Sequence, residues 1–440
     1  MKTNRVIKIF LASSEELEAD RYRFGNLIRK LDNIYEKRGI RIELFEWEDY
    51  DAAYNGMRKQ DEYNERVRAS DMFLALFHKK AGKFTIEEFN IARKAFDEQA
   101  SPKIYTYIKD LEAGESESRE LAEFKRLMLE ELGHYWCRYS NFDTMQLHFV
   151  LQLQMVEATT PIKVEVKESQ VKIGDSTIAD LNNVPFTSEN ATHRELQSRK
   201  EQLDREIGNA ESGGRRGFFG QRSRMTDEEL ANLMEERESV TEQIERQEKA
   251  LVDTAMSIAR MQGGECSPRM RTAAELFEKG EIDKAEAVFK EDDMEADATN
   301  AKLKFDTAAQ PTAELTRNIE QCAGEYMLKA RIVVSGIADE SRYRQAVKLM
   351  STAIDLVSGR LPEETLAEYL FDYAVLLTDT GQQTKALETW ERLSGIYERL
   401  YRKAPQKYAY GYAGVLNNMA VLYSDKGDFD HCLSKYLKAV

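Results

Sequence analysis

The sequence predicts an α/β domain built on a doubly wound, flavodoxin-like parallel sheet, followed by an all-α helical hairpin and an α-solenoid. Three observations carry this. Short apolar runs alternate with amphipathic helical stretches five times over residues 5–160, as in a parallel sheet with crossover helices. Residues 188–262 are strongly polar, with one apolar seam per helix. From about residue 266 onward, a small–large–Gly–small–large spacing recurs.

The first strand is the near-continuous apolar run from Val6 to Ala12, the pattern of a strand covered on both faces. Ser13-Ser14-Glu15-Glu16 then reads as a capping box into a helix carrying Leu17, Phe24, Leu27, Ile28 and Leu31. Arg41 to Trp47 is the second strand and Met72 to Phe77 the third, with a polar helix near 57–69 between them. A helix from about Thr85 to Gln99 follows the third strand. The fourth strand is Pro102 to Ile108. A long amphipathic helix with Leu121, Phe124, Leu127, Met128 and Leu132 leads to a fifth strand at Tyr135 to Tyr139, and a helix from about Asp143 to Met155 closes the domain. Period-two alternation in Ile162 to Val166 and Val171 to Ile173, with the turn signal Gly174-Asp175, marks a small β-hairpin or meander over 161–187.

In the hairpin, Leu196, Leu203 and Ile207 mark one helix. Leu230, Leu233, Val240, Ile244 and Leu251 mark the other, with Arg237 and Gln247 interrupting its seam. Thr226-Asp227-Glu228-Glu229 is a capping box for the second helix. Between them lies a Gly-rich tip bearing Arg215, Arg216, Phe218, Phe219, Arg222 and Arg224. In an acidic chain this tip is a candidate contact for a partner, an acidic lipid surface or a nucleic acid. The plainer reading, a flexible Gly-rich loop, is the one such compositions more often take.

The solenoid pattern is Ala273, Leu276, Gly280, Ala285, Phe289 in one copy and Ala374, Leu377, Gly381, Ala386, Trp390 in another. A third reads Ala420, Tyr423, Gly427, Cys432, Tyr436, Ala439, and a less regular fourth has Tyr343, Ala346, Met350 and Ala353. This spacing resembles the tetratricopeptide repeat. The copies at Ala374 and Ala420 lie further apart than the usual unit of about 34 residues, so extended helices are expected. The sequence ends at Val440 within an apolar helix, which raises the expectation of a truncated chain or of a further partner at that end.

Composition limits the function. A net charge of −15 over 440 residues argues against general nucleic-acid binding, which needs clustered Lys and Arg. The four cysteines, Cys137, Cys266, Cys322 and Cys432, form no CxxC pair and suit a reducing compartment. The N-terminus reads as a buried strand rather than a signal peptide. No run approaches a membrane span, so a cytoplasmic protein is expected. GxxxxGK[ST] and HExxH are absent. His134 and Cys137 have the spacing of two metal ligands but lack a second pair, so no metal site is assigned.

A strand order of 2-1-3-4-5 would place the topological switch point between the first and third strands, where ligands bind in open α/β sheets. The turns there are Leu11 to Ser14 and His78 to Glu88, and Trp47, Glu48 and Asp49 end the neighbouring strand. Hydroxyls, an aromatic face and carboxylates around one crevice suit a sugar-bearing nucleotide. Ser13, Ser14, Trp47 and Phe84 are the candidate substrate contacts, and Glu88 the candidate catalytic group, with Glu87 the fallback. Each has a plainer reading. Ser13 and Ser14 are possible helix caps, Trp47 is possible core, and Thr85-x-x-Glu88 is itself a capping box.

Residues 5–156 resemble a bacterial, divergent branch of the Toll/interleukin-1 receptor (TIR) superfamily. The resemblance rests on Phe10-Leu11-Ala12-Ser13-Ser14, Ala69-Ser70-Asp71-Met72-Phe73 and Gly82-Lys83-Phe84-Thr85-Ile86-Glu87-Glu88-Phe89. Enzymatic members of that family cleave the nicotinamide–ribose bond of NAD with a Glu in the helix after the third strand, in a Trp-Cys-x-x-Glu-Leu pattern. On this chain Phe84 falls on the Trp, Thr85 on the Cys, Glu88 on the Glu and Phe89 on the Leu. The resemblance implies NAD as substrate rather than bound cofactor, and self-association through the TIR-like domain. Beside repeats that sense a trigger or hold a partner protein, it implies an anti-phage effector. A carboxylate suits the reaction because N-glycosidic cleavage passes through an oxocarbenium-like sugar cation. Two alternatives stay open: a non-enzymatic signalling scaffold, and a nucleoside deoxyribosyltransferase-like use of the same Glu. The expected organisation is 1–160 TIR-like, 161–187 β-linker, 188–262 helical hairpin and 263–440 repeats.

Overall fold

The computed structural model describes residues 5–46, 59–131, 136–156, 163–212, 226–262, 266–336 and 339–439. The chain divides into two compact units. One comprises Met1–Val150, Lys163–Glu165 and Gln170–Val184, and the other Leu151–Ile162, Val166–Ser169 and Pro185–Val440.

The α/β unit is organised on five parallel strands: β1 (Arg5–Ser13), β2 (Ile40–Phe45), β3 (Met72–Phe77), β4 (Lys103–Lys109) and β5 (Trp136–Tyr139). Their order is β2-β1-β3-β4-β5, so the switch point falls between β1 and β3. Every residue of β3 is buried, as an unbroken apolar run requires of a central strand with helices on both faces. Residues two apart on neighbouring strands share a face. Phe10, Ala12, Phe73, Ala75 and Phe77 thus meet Val67 of α2 (Lys59–Arg68), Phe89 of α3 (Lys83–Gln99), and Leu121 and Phe124 of α4 (Arg119–Arg126). α1 (Glu18–Glu36) and α5 (Phe142–Val156) cover the other face, where Phe24 and Phe149 meet edge-to-face at 4.7 Å. After α4 the helix widens into a π-helical turn at Leu127–Glu131.

Two expected helix starts are corrected. Ser13 ends β1, and a 3-10 turn at Glu15–Leu17 precedes α1, whose N-cap Leu17 makes no side-chain cap bond. The Ser13-Ser14-Glu15-Glu16 box therefore caps nothing. α3 begins at Lys83 with Gly82 as N-cap, two residues earlier than Thr85. The expected meander consists of three strands, β6 (Val164–Lys167), β7 (Gln170–Ile173) and β8 (Ser176–Asp180), in that order. The turn between β6 and β7 holds Glu168 and Ser169 at φ 54° and 55°.

The other unit is helical. After the short α6 (Pro185–Ser188), α7 (Ala191–Ser212) and α8 (Asp227–Gln262) pair through Leu203, Val240 and Ile244. The capping box at Thr226 is reciprocal: Glu229 N donates to Thr226 Oγ1 at 3.1 Å and Thr226 N to Glu229 Oε2 at 2.7 Å. Both polar residues that interrupt the seam have partners. Arg237 Nε donates to Asp204 at 2.9 Å across the hairpin, and buried Gln247 donates to the carbonyls of Ser335 and Gly336. Further along, Thr254 donates to the Arg331 carbonyl. α8 therefore serves hairpin and solenoid alike.

The solenoid comprises α9 (Pro268–Glu278), α10 (Ile282–Ala287), α11 (Glu291–Thr307), α12 (Ala313–Ser335), α13 (Glu340–Val357), α14 (Glu363–Asp379), α15 (Gln383–Lys403), α16 (Pro405–Asp425) and α17 (Phe429–Ala439). α11 and α12 carry none of the expected repeat marks. The three marked glycines, Gly280, Gly381 and Gly427, turn α9 into α10, α14 into α15 and α16 into α17, at φ 78°, 69° and 74°. Without a Cβ, glycine adopts this region freely. The marked small residues Ala273, Ala285, Ala374, Ala386 and Ala420 have no exposed surface, which lets paired helices approach. Trp390 is buried against Phe371, and its indole N–H donates to Thr378 Oγ1 at 3.2 Å. The fourth copy differs: Tyr343 through Ala353 all lie on one helix, α13. Among the described residues no helix is long and apolar enough to cross a membrane.

Candidate functional site

The turns after β1 and β3 meet at the switch point. Ser13 lies beside Leu76 in the β1–β3 register, so both strands deliver their following residues to the same edge. Arg21 of α1, only 2% exposed, locks the first turn: its Nη1 donates to Ser13 Oγ at 2.8 Å and to the Ser14 carbonyl at 3.0 Å. Ser14 Oγ lies 3.3 Å from Glu16 Oε1. That carboxylate oxygen also accepts from the backbone N–H of Lys79 at 3.0 Å and Lys80 at 3.4 Å, tying the first turn to the second.

The second turn is pinned again from its far side. Glu115 accepts from Lys79 Nζ, and His78 Nε2 stands 3.2 Å from Glu115 Oε2. The Lys79 hydrogen bond holds the Glu115 carboxyl below the usual carboxylate range, and the same bond raises the Lys79 ammonium. The turn then ends at Gly82. A Cβ there would stand 4.0 Å from Ser14 Cβ, in ordinary contact, and 3.3 Å from Thr85 Oγ1, so the two turns pass close to each other. Beside them Asp20, buried on α1, accepts from Lys109 Nζ at 2.9 Å and from the Tyr139 hydroxyl at 3.0 Å. Burial and then Asp20 push the Tyr139 phenol far up.

Ser13, Ser14 and the Gly82 turn are thus brought together. Glu88 follows on α3, past the first turn of the helix, and is 8% exposed. Because the helix begins at Lys83 with Gly82 as its cap, Glu88 lies beyond the N–H groups that need capping. The capping reading of Thr85 and Glu88 is therefore replaced. Glu87 accepts from Asn64 of α2 at 3.4 Å. Phe84 is 58% exposed at the helix start. Trp47 lies outside the described residues, as do Arg215, Arg216, Phe218, Phe219, Arg222 and Arg224 of the hairpin tip, and His134.

Glu16, Arg21, Asp20 and Lys79 are absent from the sequence-based candidates. Glu16 reads as part of a capping box. Only their contacts across the fold reveal them.

The helical unit carries two clefts of mixed charge. One of about 490 Å³ is lined by Lys249, Asp253, Arg260, Arg331, Asp372 and Asp379 on α8, α12 and α14. Burial pushes the Asp253 carboxyl up, opposed by the nearby Arg331 guanidinium. The other, about 810 Å³, lies over α13 to α15 and includes Arg344, Lys348, Tyr373, Asp379 and Lys385.

No family model and no curated relative matches this chain. Among solved structures, it is similar to a signal transduction ATPase with numerous domains (STAND) protein with a tetratricopeptide repeat sensor from Pyrococcus horikoshii. That likeness spans 100% of this chain and 80% of the other at 10% identity, with a TM-score of 0.24. A likeness at this level carries no argument for fold or function.

Proposed function

We propose that the α/β unit cleaves the N-glycosidic bond of NAD or a related nucleotide, with Glu88 as the carboxylate that steadies the sugar cation, and that the helical unit controls it. The observation that carries this is the position of Glu88. It is a largely buried carboxylate, on the helix after the third strand, beyond the capping positions of that helix. Buried ionisable groups beside a switch-point crevice are functional candidates.

In this reading the sugar lies over the edge of β1 and β3, with Ser13 and Ser14 toward its hydroxyls and exposed Phe84 offering a ring face. Nicotinamide leaves with the bonding pair and needs no general acid, since it carries positive charge before cleavage. Glu88 stabilises the oxocarbenium-like centre, and water completes hydrolysis. The mixed-charge clefts of the helical unit suit a polar trigger or a partner peptide, and self-association of the α/β unit would make turnover depend on concentration. An antiviral role follows from this pairing of effector and sensor.

The test is nicotinamide release from NAD by the full chain, wild type beside Glu88→Gln, over a range of protein concentrations. The reading expects release that rises steeply with concentration and falls at least about 100-fold in the variant, the scale of losing a charge-stabilising group. Release unchanged by Glu88→Gln removes Glu88 from the chemistry. Base exchange between deoxynucleosides without NAD cleavage would favour the deoxyribosyltransferase-like use of the crevice. Absence of either activity, with no NAD loss in cells expressing the chain, would favour the scaffold.

A further inference from the structure

A second constellation lies on β4, β5 and α5 and uses none of the residues above. Cys137 of β5 and Tyr107 of β4 are paired in register, so their side chains share one face of the sheet. His148 of α5 descends onto that face. Its Nε2 stands 2.9 Å from Cys137 Sγ and its Nδ1 3.0 Å from the Tyr107 hydroxyl. The Tyr107 ring meets the imidazole edge-to-face at 5.4 Å between centroids, fixing the ring plane. A thiol against one imidazole nitrogen, with a third group orienting the other, is the arrangement that activates a cysteine nucleophile.

We infer that Cys137 is a reactive thiolate site, paired with His148 and positioned by Tyr107, whose co-reactant is a small hydroperoxide. The thiol proton passes to His148 Nε2. The imidazolium so formed donates Nδ1–H to the Tyr107 oxygen, and burial keeps that phenol neutral. The thiolate attacks one peroxide oxygen, an S–O bond forms, and the O–O bond breaks. Sulfur is oxidised by two electrons to the sulfenic acid, and the peroxide is reduced to water or an alcohol. The leaving oxygen takes its proton from His148 Nε2, so the atoms balance without a further reagent.

Position favours a small reagent. β5 is an edge strand of the sheet, Cys137 is 8% exposed, and His148 is half-buried. The same molecule supplies its own comparators, because burial pushes the Cys266 and Cys322 thiols up to about 11.

The experiment treats the full chain with hydrogen peroxide and then dimedone. In parallel it is alkylated with iodoacetamide between pH 6 and 8.5, with each cysteine-bearing peptide quantified by mass spectrometry. Cys137 is expected to form the dimedone adduct and to alkylate at least about tenfold faster at pH 7 than Cys266 or Cys322. Its rate should stay nearly flat down to pH 6, where an ordinary thiol with a pKa of about 8.5 slows about tenfold per pH unit. His148→Asn should remove the advantage, and Tyr107→Phe should reduce it while keeping the ring. A Cys137 rate that equals those of Cys266 and Cys322, or that falls with pH like an ordinary thiol, overturns the inference using the wild-type chain alone. An unchanged rate in a folded His148→Asn variant overturns it as well.

Discussion

The two units hold their polar groups in opposite ways. At the strand ends of the α/β unit, charged side chains bridge turns that are distant in sequence: Glu16 to the Lys79 and Lys80 backbone, Asp20 to Lys109 and Tyr139. Both carboxylates there accept more than once. In the helical unit, order comes from alternating small and large apolar residues along short repeats. Among the described residues its buried polar groups are more numerous and less completely paired. Buried Glu248 accepts from Ser169 Oγ at 2.7 Å and lies 3.7 Å from His193 Nε2, while Glu248 Oε2 and His193 Nδ1 have no hydrogen-bond partner among the described residues. The first arrangement fixes a geometry and the second a packing.

This contrast can be tested from its strongest point downward. The packing side is most exposed at Gly280, where a Cβ would stand 2.6 Å from the Pro185 carbonyl oxygen and 2.9 Å from Glu189, at φ 78°. Gly280→Ala combines left-handed strain with overpacking and should cost on the order of 3 kcal/mol or more in unfolding of the helical unit. A cost equal to that of Gly381→Ala would show that the close approach of α6 is not rigid.

On the bonding side, Arg21→Met retains the apolar stem but leaves Ser13 Oγ and the Ser14 carbonyl without that guanidinium. The expected cost is about 1–3 kcal/mol. Amide exchange should quicken in residues 14–17 and 78–82, while the protection of α14 and α15 is unchanged. Uniform loss across both units would break the distinction.

The Glu248 site gives a pH test. Burial pushes its carboxyl above the ordinary 4.5, so the folded state holds the proton more tightly than the unfolded chain does. That contribution is fully present below 4.5 and is lost as pH rises through the folded value. Glu248→Gln preserves an acceptor for Ser169 and carries no charge. Its melting midpoint should exceed the wild type's by a few degrees at pH 8 (about 1 kcal/mol), with the gap closing toward pH 5. His193, pushed down by burial, works in the other direction, losing its contribution as pH falls below 6.5. A gap that is constant with pH would refute the assignment. The smallest effect is Gly381→Ala, with left-handed φ but nothing within 4 Å of the added Cβ, at about 1 kcal/mol.

Legibility follows the same division. The run from Met72 to Phe77 predicts a fully buried strand, and the glycines at 280, 381 and 427 predict turns, because each signal is local to the segment that forms it. Thr226 with Glu229 predicts its own reciprocal cap for the same reason. The bridge from Glu16 to Lys79 has no local signature, since a carboxylate beside two serines reads as a helix cap whatever lies across the fold. Thr85 misplaces the start of α3 in the same way: the hydroxyl attracts the capping reading, whereas the chain begins the helix at an uncapped glycine. α11 and α12 escape the repeat spacing because no glycine lies in the junction between them. Of the candidate site, the two serines and the Gly82 turn are legible from strand order. The clamps that hold them are not.

α8 is 36 residues long without interruption, a rod of about 54 Å at the helical rise of 1.5 Å per residue. Its first half pairs with α7, and its second half supplies Lys249, Asp253 and Arg260 to the wall of the mixed-charge cleft. A rod with no hinge acts as a beam: a tilt of a few degrees imposed at one end arrives at the other as a displacement of several ångströms. The hairpin seam and the cleft wall are thus two stretches of one stiff element.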